Sequence, residues 1–157
     1  MKKLAYGIAI VALIATAFIF TQGFSPPPAG FTPKYMWTGA RTILGSTSTT
    51  VHCTNFDAAN GSTVDVEFVD FTSTTVGFNT LAIGAGGTGT ITGSDGTLFY
   101  AEDSTVPLSD DLNQGSVRVS VQGSQKVICS AHVLDNTSSP PLFIHDLTTF
   151  NATGTKF

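Results

Sequence analysis

A strict alternation of apolar and polar residues, which recurs along the chain, constrains the fold more than any other feature of the sequence. In residues 64–68 Val and Phe alternate with Asp and Glu, and the same period of two runs through residues 117–121 and 127–133. Successive side chains of a strand point to opposite faces, so this period predicts half-buried strands. Past Gly30 no stretch shows a sustained helical period, and we therefore predict an all-β fold.

Turn-prone sequences separate these strands from several further ones. Additional strands are predicted at residues 48–56, 74–83, 89–92, 97–102 and 142–150. The separators are rich in Gly, Asn, Ser and Pro, as at residues 60–61, 86–87, 94–96, 113–115, 122–123 and 138–141. About seven to nine short strands with such separators are typical of two packed sheets. Over residues 34–157 we predict an antiparallel β-sandwich, immunoglobulin-like in architecture.

The two cysteines, Cys53 and Cys129, each fall on the predicted inward face of a strand. An exported chain with two cysteines most simply pairs them, so we predict a disulfide. Its layout is like the bridge that joins the two sheets of an immunoglobulin domain. The finer hallmarks are absent, because no Trp follows Cys53 at the right place and Val127 stands where a Tyr would precede the second cysteine.

Several short segments together resemble a group of small exported bacterial β-domain proteins. They are Cys53-Thr54-Asn55, Val64-Asp65-Val66-Glu67-Phe68, Gly115-Ser116-Val117-Arg118-Val119, Val127-Ile128-Cys129-Ser130-Ala131 and Pro140-Pro141. The similarity covers roughly residues 51–143, and its motifs are structural. It implies a β-sandwich and export, and it implies no activity.

The N-terminal segment is apolar. Lys2 and Lys3 precede an uncharged run at residues 4–24, whose 21 positions would span roughly 30 Å as a helix. We predict an uncleaved transmembrane anchor at residues 1–24, with the two lysines in the cytoplasm and the sandwich on the periplasmic or extracellular side. The alternative is a cleaved signal peptide with Ala15 and Ala17 at the cut, which would release a secreted domain. A prepilin-like leader is a third reading, although it lacks the expected acidic residue.

Residues 25–33 contain four prolines and predict a short semi-rigid spacer. Phe31, Pro33, Tyr35 and Trp37 then fall at every second position, so an extended chain would place the three aromatic rings on one face. Aromatic rings are common anchors of interfaces, and we predict that these three residues bind a partner. The alternative is an edge strand that buries the rings in the core.

Three patterns suggest chemistry without meeting its requirements. Residues 84–89 (GAGGTG) match a dinucleotide-binding pattern, but strand and turn sequence follows them where a helix is needed, so we predict a hairpin loop. Residues 110–115 resemble part of a calcium loop without its later bidentate Glu. Asp65 and Glu67 share an outer strand face, as paired carboxylates would, but we predict that this face is simply solvated. No G-x-S-x-G elbow occurs.

His52 and His132 are expected on one outer sheet face, where His145 would complete a set of three metal ligands. Nothing in their spacing requires a metal, so we predict surface histidines and no metal or cofactor. The net charge of −4, with no basic cluster beyond Lys2 and Lys3, argues against a nucleic-acid partner.

These observations favour a non-enzymatic role. We predict a structural or accessory subunit of a bacterial membrane or envelope complex, whose sandwich binds partner proteins outside the cytoplasm. One alternative is a subunit of an extracellular filament. A second is a secreted glycan-binding module with Tyr35 and Trp37 as its aromatic platform.

Overall fold

The computed structural model of the protein describes residues 24–93, 97 and 99–157. These residues form ten strands, namely β1 (Thr32–Thr42), β2 (Thr47–Asn55), β3 (Ser62–Asp70), β4 (Thr75–Ile83), β5 (Thr88–Gly93), β6 (Ser104–Val106), β7 (Leu112–Gly123), β8 (Val127–Asp135), β9 (Ile144–Asp146) and β10 (Thr148–Asn151). The anchor predicted at residues 1–24 lies, apart from Phe24, outside the described residues. Across the described part of the chain, no helix has the length and apolarity needed to cross a bilayer.

The strands form two five-stranded sheets that pack face to face. Sheet A has the order β10-β1-β7-β3-β4, and sheet B has the order β6-β5-β2-β8-β9. Neighbouring strands are antiparallel except for β5 and β6, which are parallel. The predicted all-β sandwich is confirmed. The prediction of a strand at residues 97–102 was wrong, because the strand of this region is β6, which begins at Ser104. The strand predicted at residues 142–150 is divided into β9 and β10.

The core lies between the inner faces that the period of two predicts. In β3 and β7 the apolar residues 64, 66 and 68 and residues 117, 119 and 121 alternate with polar ones and are buried, because this face of each strand packs into the core between the sheets. The largest fully buried side chains are Trp37, Phe68, Ile91, Leu112, Leu134, Val51, Val64, Val66, Val106, Val117, Val119 and Val121.

The two lateral edges of the sandwich are bridged by segments that run between the sheets. On one side, Leu147 is buried where the chain crosses from β9 to β10, and its N–H donates to the carbonyl of Ala131 at 2.9 Å. On the other side, Asn79 of β4 donates to the carbonyl of Thr105 in β6 at 2.6 Å. Backbone groups at sheet edges invite pairing with other chains, so these bridges reduce that risk.

Cys53 and Cys129 form the predicted disulfide, but its position within the fold differs from the prediction. The two cysteines are directly opposite each other in β2 and β8, which are neighbours in sheet B, with their Cα atoms 4.1 Å apart. The expectation of a bridge between the two sheets was therefore wrong. The bond staples adjacent strands of one sheet and turns both cysteines towards the core, where they are buried.

The glycine-rich residues 84–89 form a turn between the sheets and not a hairpin, because β4 belongs to sheet A and β5 to sheet B. Gly86 has a φ of +67°, a left-handed conformation that glycine adopts without steric cost. The next element is strand β5, so the helix that a dinucleotide would need is replaced by a strand.

Candidate functional site

The outer face of sheet A is covered by the chain that precedes β1. The Phe24 ring lies 5.1 Å from the Arg118 guanidinium carbon, a cation–π distance. Ser25 donates from its backbone N–H to Glu67 Oε1 at 3.3 Å, and its hydroxyl lies 3.0 Å from that of Thr75. After the prolines, the N–H of Phe31 bonds to the carbonyl of Pro28 at 3.0 Å and turns the chain into β1. The predicted spacer is thus packed onto the sandwich.

Beneath this covering segment lies a buried ion pair between neighbouring strands. Glu67 of β3 and Arg118 of β7 are directly opposite each other in register, and Arg118 Nη2 lies 2.5 Å from Glu67 Oε2. Their side chains are only 4% and 7% exposed. The Thr75 hydroxyl donates to the second carboxylate oxygen of Glu67 at 2.6 Å. The position therefore combines a compensated charge pair with low exposure to water.

Asp65 lies two residues before Glu67 in β3, on the same outer face of the sheet, and it is only 2% exposed. Its Oδ1 atom has no hydrogen-bond partner, and neither has Nε of Arg118. Loss of solvent raises the pKa of the Asp65 carboxyl, the nearby charge of Glu67 raises it further, and Arg118 opposes both. The solvated face predicted for Asp65 and Glu67 was wrong, because the N-terminal segment covers it. We call Asp65, Glu67 and Arg118 the charged cluster.

The charged cluster forms one wall of a pocket of about 410 Å³. Strand residues and the covering segment share its lining, which consists of Ser25, Pro26, Pro28, Asp65, Glu67, Thr75, Phe78 and Arg118. The ring of Phe78 is 63% exposed. Two residues of the lining, Asp65 and Arg118, therefore each carry a buried polar atom without a hydrogen-bond partner, and a third, Phe78, exposes its aromatic ring.

The outer face of sheet B carries the two histidines that the sequence places together. The rings of His52 and His132 lie 5.4 Å apart, and Tyr100 meets His52 edge to face at 4.6 Å. Nδ1 of His52 lies 3.0 Å from the hydroxyl of Thr90, and Nδ1 of His132 lies 2.6 Å from an oxygen of Asp146. Burial lowers the pKa of His52, and the neighbouring His132 lowers it further.

His145 does not join this pair. It lies opposite Val133 in β9, whereas Asp146 lies opposite His132, and adjacent residues of a strand point to opposite faces. Among the described residues, no group of three His, Cys, Asp or Glu side chains is arranged to hold a metal ion. The hypothetical calcium loop also differs from its expected form, because β7 begins at Leu112 and the following donors lie in a strand.

The three aromatic residues predicted to bind a partner occupy different environments. Trp37 is fully buried and donates from Nε1 to the Thr149 hydroxyl at 2.9 Å. Tyr35 is also buried, and its hydroxyl donates to the carbonyl of Val127 at 2.9 Å. Only Phe31 is partly exposed. Both buried rings lie in the core, and their strand β1 is an interior strand of sheet A and not an edge. Neither ring is therefore free to stack on a sugar. Partner binding by this segment stays a prediction.

Sequence reasoning missed both Arg118 and the covering role of residues 24–28. One signal was available, because Arg118 occupies an outward position in a Val-rich strand, as Glu67 does in another. An outward cation in one strand and an outward anion in another strand of equal period are candidates for cross-strand pairing. The packing of residues 24–28 onto sheet A leaves no comparable signal in the sequence, since it depends on contacts with residues distant along the chain.

Comparison of the chain with protein families, with curated proteins and with solved structures found no match. The two outer faces of the sandwich are therefore the regions from which a function can be inferred. Of these, the face of sheet A combines a pocket, buried charge and a segment that leads towards the N-terminus.

Proposed function

We propose that the protein is a non-enzymatic structural or accessory subunit of a membrane or envelope assembly. In this proposal residues 1–24 anchor the chain, and the sandwich binds partner proteins on the extracytoplasmic side. The observation that carries it is the docking of the N-terminal segment on sheet A, through Phe24 on Arg118 and Ser25 on Glu67.

The covering segment, residues 24–28, acts as a tether between the sandwich and the N-terminus. A tether that is packed onto the domain restricts the orientation of the domain more than a flexible one does. A flexible linker lets a domain sample many orientations, whereas prolines restrict the backbone and packed contacts remove the remaining freedom. Because Ser25 contacts Glu67 and Thr75, the direction in which the chain leaves the sandwich is fixed. A fixed orientation suits a domain that must present one surface to a partner.

Two further observations support the proposal. The Cys53–Cys129 disulfide fits an oxidising compartment, as expected outside the cytoplasm. The bridged lateral edges favour an accessory subunit over a filament built by strand addition between copies, which needs an accessible edge. We place the sandwich with immunoglobulin-like architectures because two antiparallel-dominated sheets pack together, although its disulfide lies within one sheet.

The test is assembly of the native protein with a loosened tether. In one variant Gly and Ser replace residues 25–29, and in the matched control they replace residues 152–154, an exposed turn far along the chain. After gentle detergent extraction, the wild type and the control should co-purify with a defined set of membrane proteins. The tether variant should lose them while its sandwich still melts cooperatively.

Three results would contradict the proposal. They are a wild-type protein that extracts alone as a monomer, one that extracts as a homopolymer, and a tether variant that assembles normally. Intact-mass analysis of the same sample tests the anchor, since a mature start beyond residue 15 would show that the N-terminal segment is cleaved.

A further inference from the structure

We propose that the pocket on the outer face of sheet A binds one ring of a neutral saccharide. This site is separate from the buried rings of Tyr35 and Trp37, and its occupancy does not depend on the proposed assembly role. The inference follows from the unpaired polar atoms of the charged cluster, from the exposed ring of Phe78 and from the size of the pocket.

The unpaired atoms require a ligand that both donates and accepts hydrogen bonds. Oδ1 of Asp65 is a buried acceptor without a partner, and Nε of Arg118 is a buried donor without one. Buried polar groups are nearly always paired, so two atoms of one pocket lining that have neither a hydrogen bond nor an ion-pair partner indicate that a ligand completes them. Neighbouring hydroxyl groups of a sugar can donate to Asp65 and accept from Arg118 at the same time.

Charged ligands fit this site less well. An ammonium group would satisfy Asp65, but it has no acceptor for Arg118 Nε and would approach a guanidinium. A phosphate or carboxylate would accept from Arg118, but it would face the carboxylates of Asp65 and Glu67. A neutral ligand rich in hydroxyl groups avoids both conflicts.

The walls of the pocket also suit a sugar ring. A pyranose carries hydroxyl groups around its edge and C–H groups on its faces, and the faces pack against aromatic rings. Phe78 is 63% exposed within the lining, and Pro26 and Pro28 supply further apolar surface. The volume of about 410 Å³ lies within the range of roughly 300–1,000 Å³ that small-molecule sites occupy.

The experiment is saturation-transfer NMR on the folded protein with a panel of neutral sugars. The panel contains glucose, galactose, mannose and N-acetylglucosamine with their short oligomers, and lysine amide and inorganic phosphate serve as charged probes. Phe78→Ala removes the ring from the pocket. Phe56→Ala is its matched control, because Phe56 is also 63% exposed and lies outside the lining. Asp65→Asn removes the charge of the unpaired acceptor.

We expect at least one sugar to bind the wild type. Phe78→Ala and Asp65→Asn should each raise its Kd about ten-fold, and Phe56→Ala should leave the Kd unchanged. The proposal is overturned if no sugar on the panel binds, if Phe78→Ala and Phe56→Ala behave alike, or if only a charged probe binds. Near-native melts of all three variants would show that the changes in affinity do not reflect unfolding.

Discussion

In each sheet of the sandwich, one pair of facing side chains links two neighbouring strands. The two pairs differ in the kind of bond that they form. In sheet B the pair is Cys53–Cys129, which is covalent and faces the core. In sheet A the pair is Glu67–Arg118, which is ionic and faces outward. The disulfide needs only an oxidising compartment, whereas the ion pair is buried because residues 24–28 cover it.

This difference shows what charged side chains on an outer sheet face require when they are buried away from water. A covalent bond keeps its strength wherever it lies, but buried charges lose hydration and must be compensated by partners. The charged cluster has three ionisable groups and leaves two of their polar atoms unpaired. We infer that the stability of sheet A depends on its cover and on its charges, while that of sheet B depends on redox state.

Breaking the disulfide should have the largest effect. In the double variant Cys53→Ala and Cys129→Ala, the unfolded chain regains the freedom of a loop spanning 76 positions. Loop-closure entropy of this size corresponds to about 4.5 kcal/mol of the free energy of unfolding, measurable by urea denaturation. Reductant should destabilise the wild type by a similar amount and leave the double variant unchanged. An equal response of both proteins to reductant would show that the bond does not form.

Removing the cation of sheet A should cost nearly as much. Arg118→Met leaves the Glu67 carboxylate buried without its counter-charge, so the free energy of unfolding should fall by about 4 kcal/mol. The matched control is Asp146→Asn, which breaks the contact with His132 at a side chain that is 86% exposed. An exposed pair contributes about 0–1 kcal/mol, so this control should change little.

A second comparison isolates the burial of charge from the loss of packing. In the double variant Arg118→Met and Glu67→Met the orphaned carboxylate is also removed, so most of the lost stability should return. If Arg118→Met alone costs no more than the Asp146→Asn control, the outer face of sheet A is open to water in solution and its covering segment is not docked.

A neutral residue at position 65 should stabilise the protein by a smaller amount. Burial raises the pKa of Asp65 above its ordinary value of 3.8, so the folded state holds its proton more tightly than the unfolded chain. Stability from this group is therefore present below that value and is lost as the pH rises through the folded pKa. At pH 7 Asp65→Asn should raise the free energy of unfolding by about 1 kcal/mol.

The pH dependence of this gain distinguishes it from a general effect of the substitution. Thermal melts at pH 3 should show little difference between Asp65→Asn and the wild type, because the carboxyl is protonated in both folded and unfolded states. A gain that persists at pH 3, or a loss at pH 7, would contradict the assignment of an unpaired buried carboxylate.

The inner faces of both sheets could be predicted from the sequence because a period of two fixes which residues share a face. The alternation at residues 64–68 and 117–121 therefore identified the core of β3 and β7. The pairing of Cys53 with Cys129 followed from their number and from the predicted export of the chain. Whether they join one sheet or two depends on strand order, which is set by contacts between β2 and β8 that no local pattern encodes.

The outer faces could be predicted only in part. The period places Asp65 and Glu67 together, and the period combined with the pairing of the cysteines places His52 and His132 on one face. It does not tell which face a distant segment will cover. The same limit applies to Tyr35 and Trp37, whose alternation fits a core strand or a binding surface equally well. Their burial depends on β7 and β10 on either side of β1 and on sheet B opposite, all supplied from later in the chain.

The smallest predicted effect belongs to the histidines of sheet B. Burial and the nearby His132 lower the pKa of His52 from its ordinary value of 6.5, so protonation is harder in the folded state than in the unfolded chain. Stability should therefore decline as the pH falls from 6.5 through the folded pKa, and His52→Gln should reduce the decline. His145→Gln is the matched control, since His145 is exposed on β9. Melts from pH 7.5 to 5 that are parallel for all three proteins would show that the outer face of sheet B, unlike that of sheet A, carries no titrating group that folding perturbs.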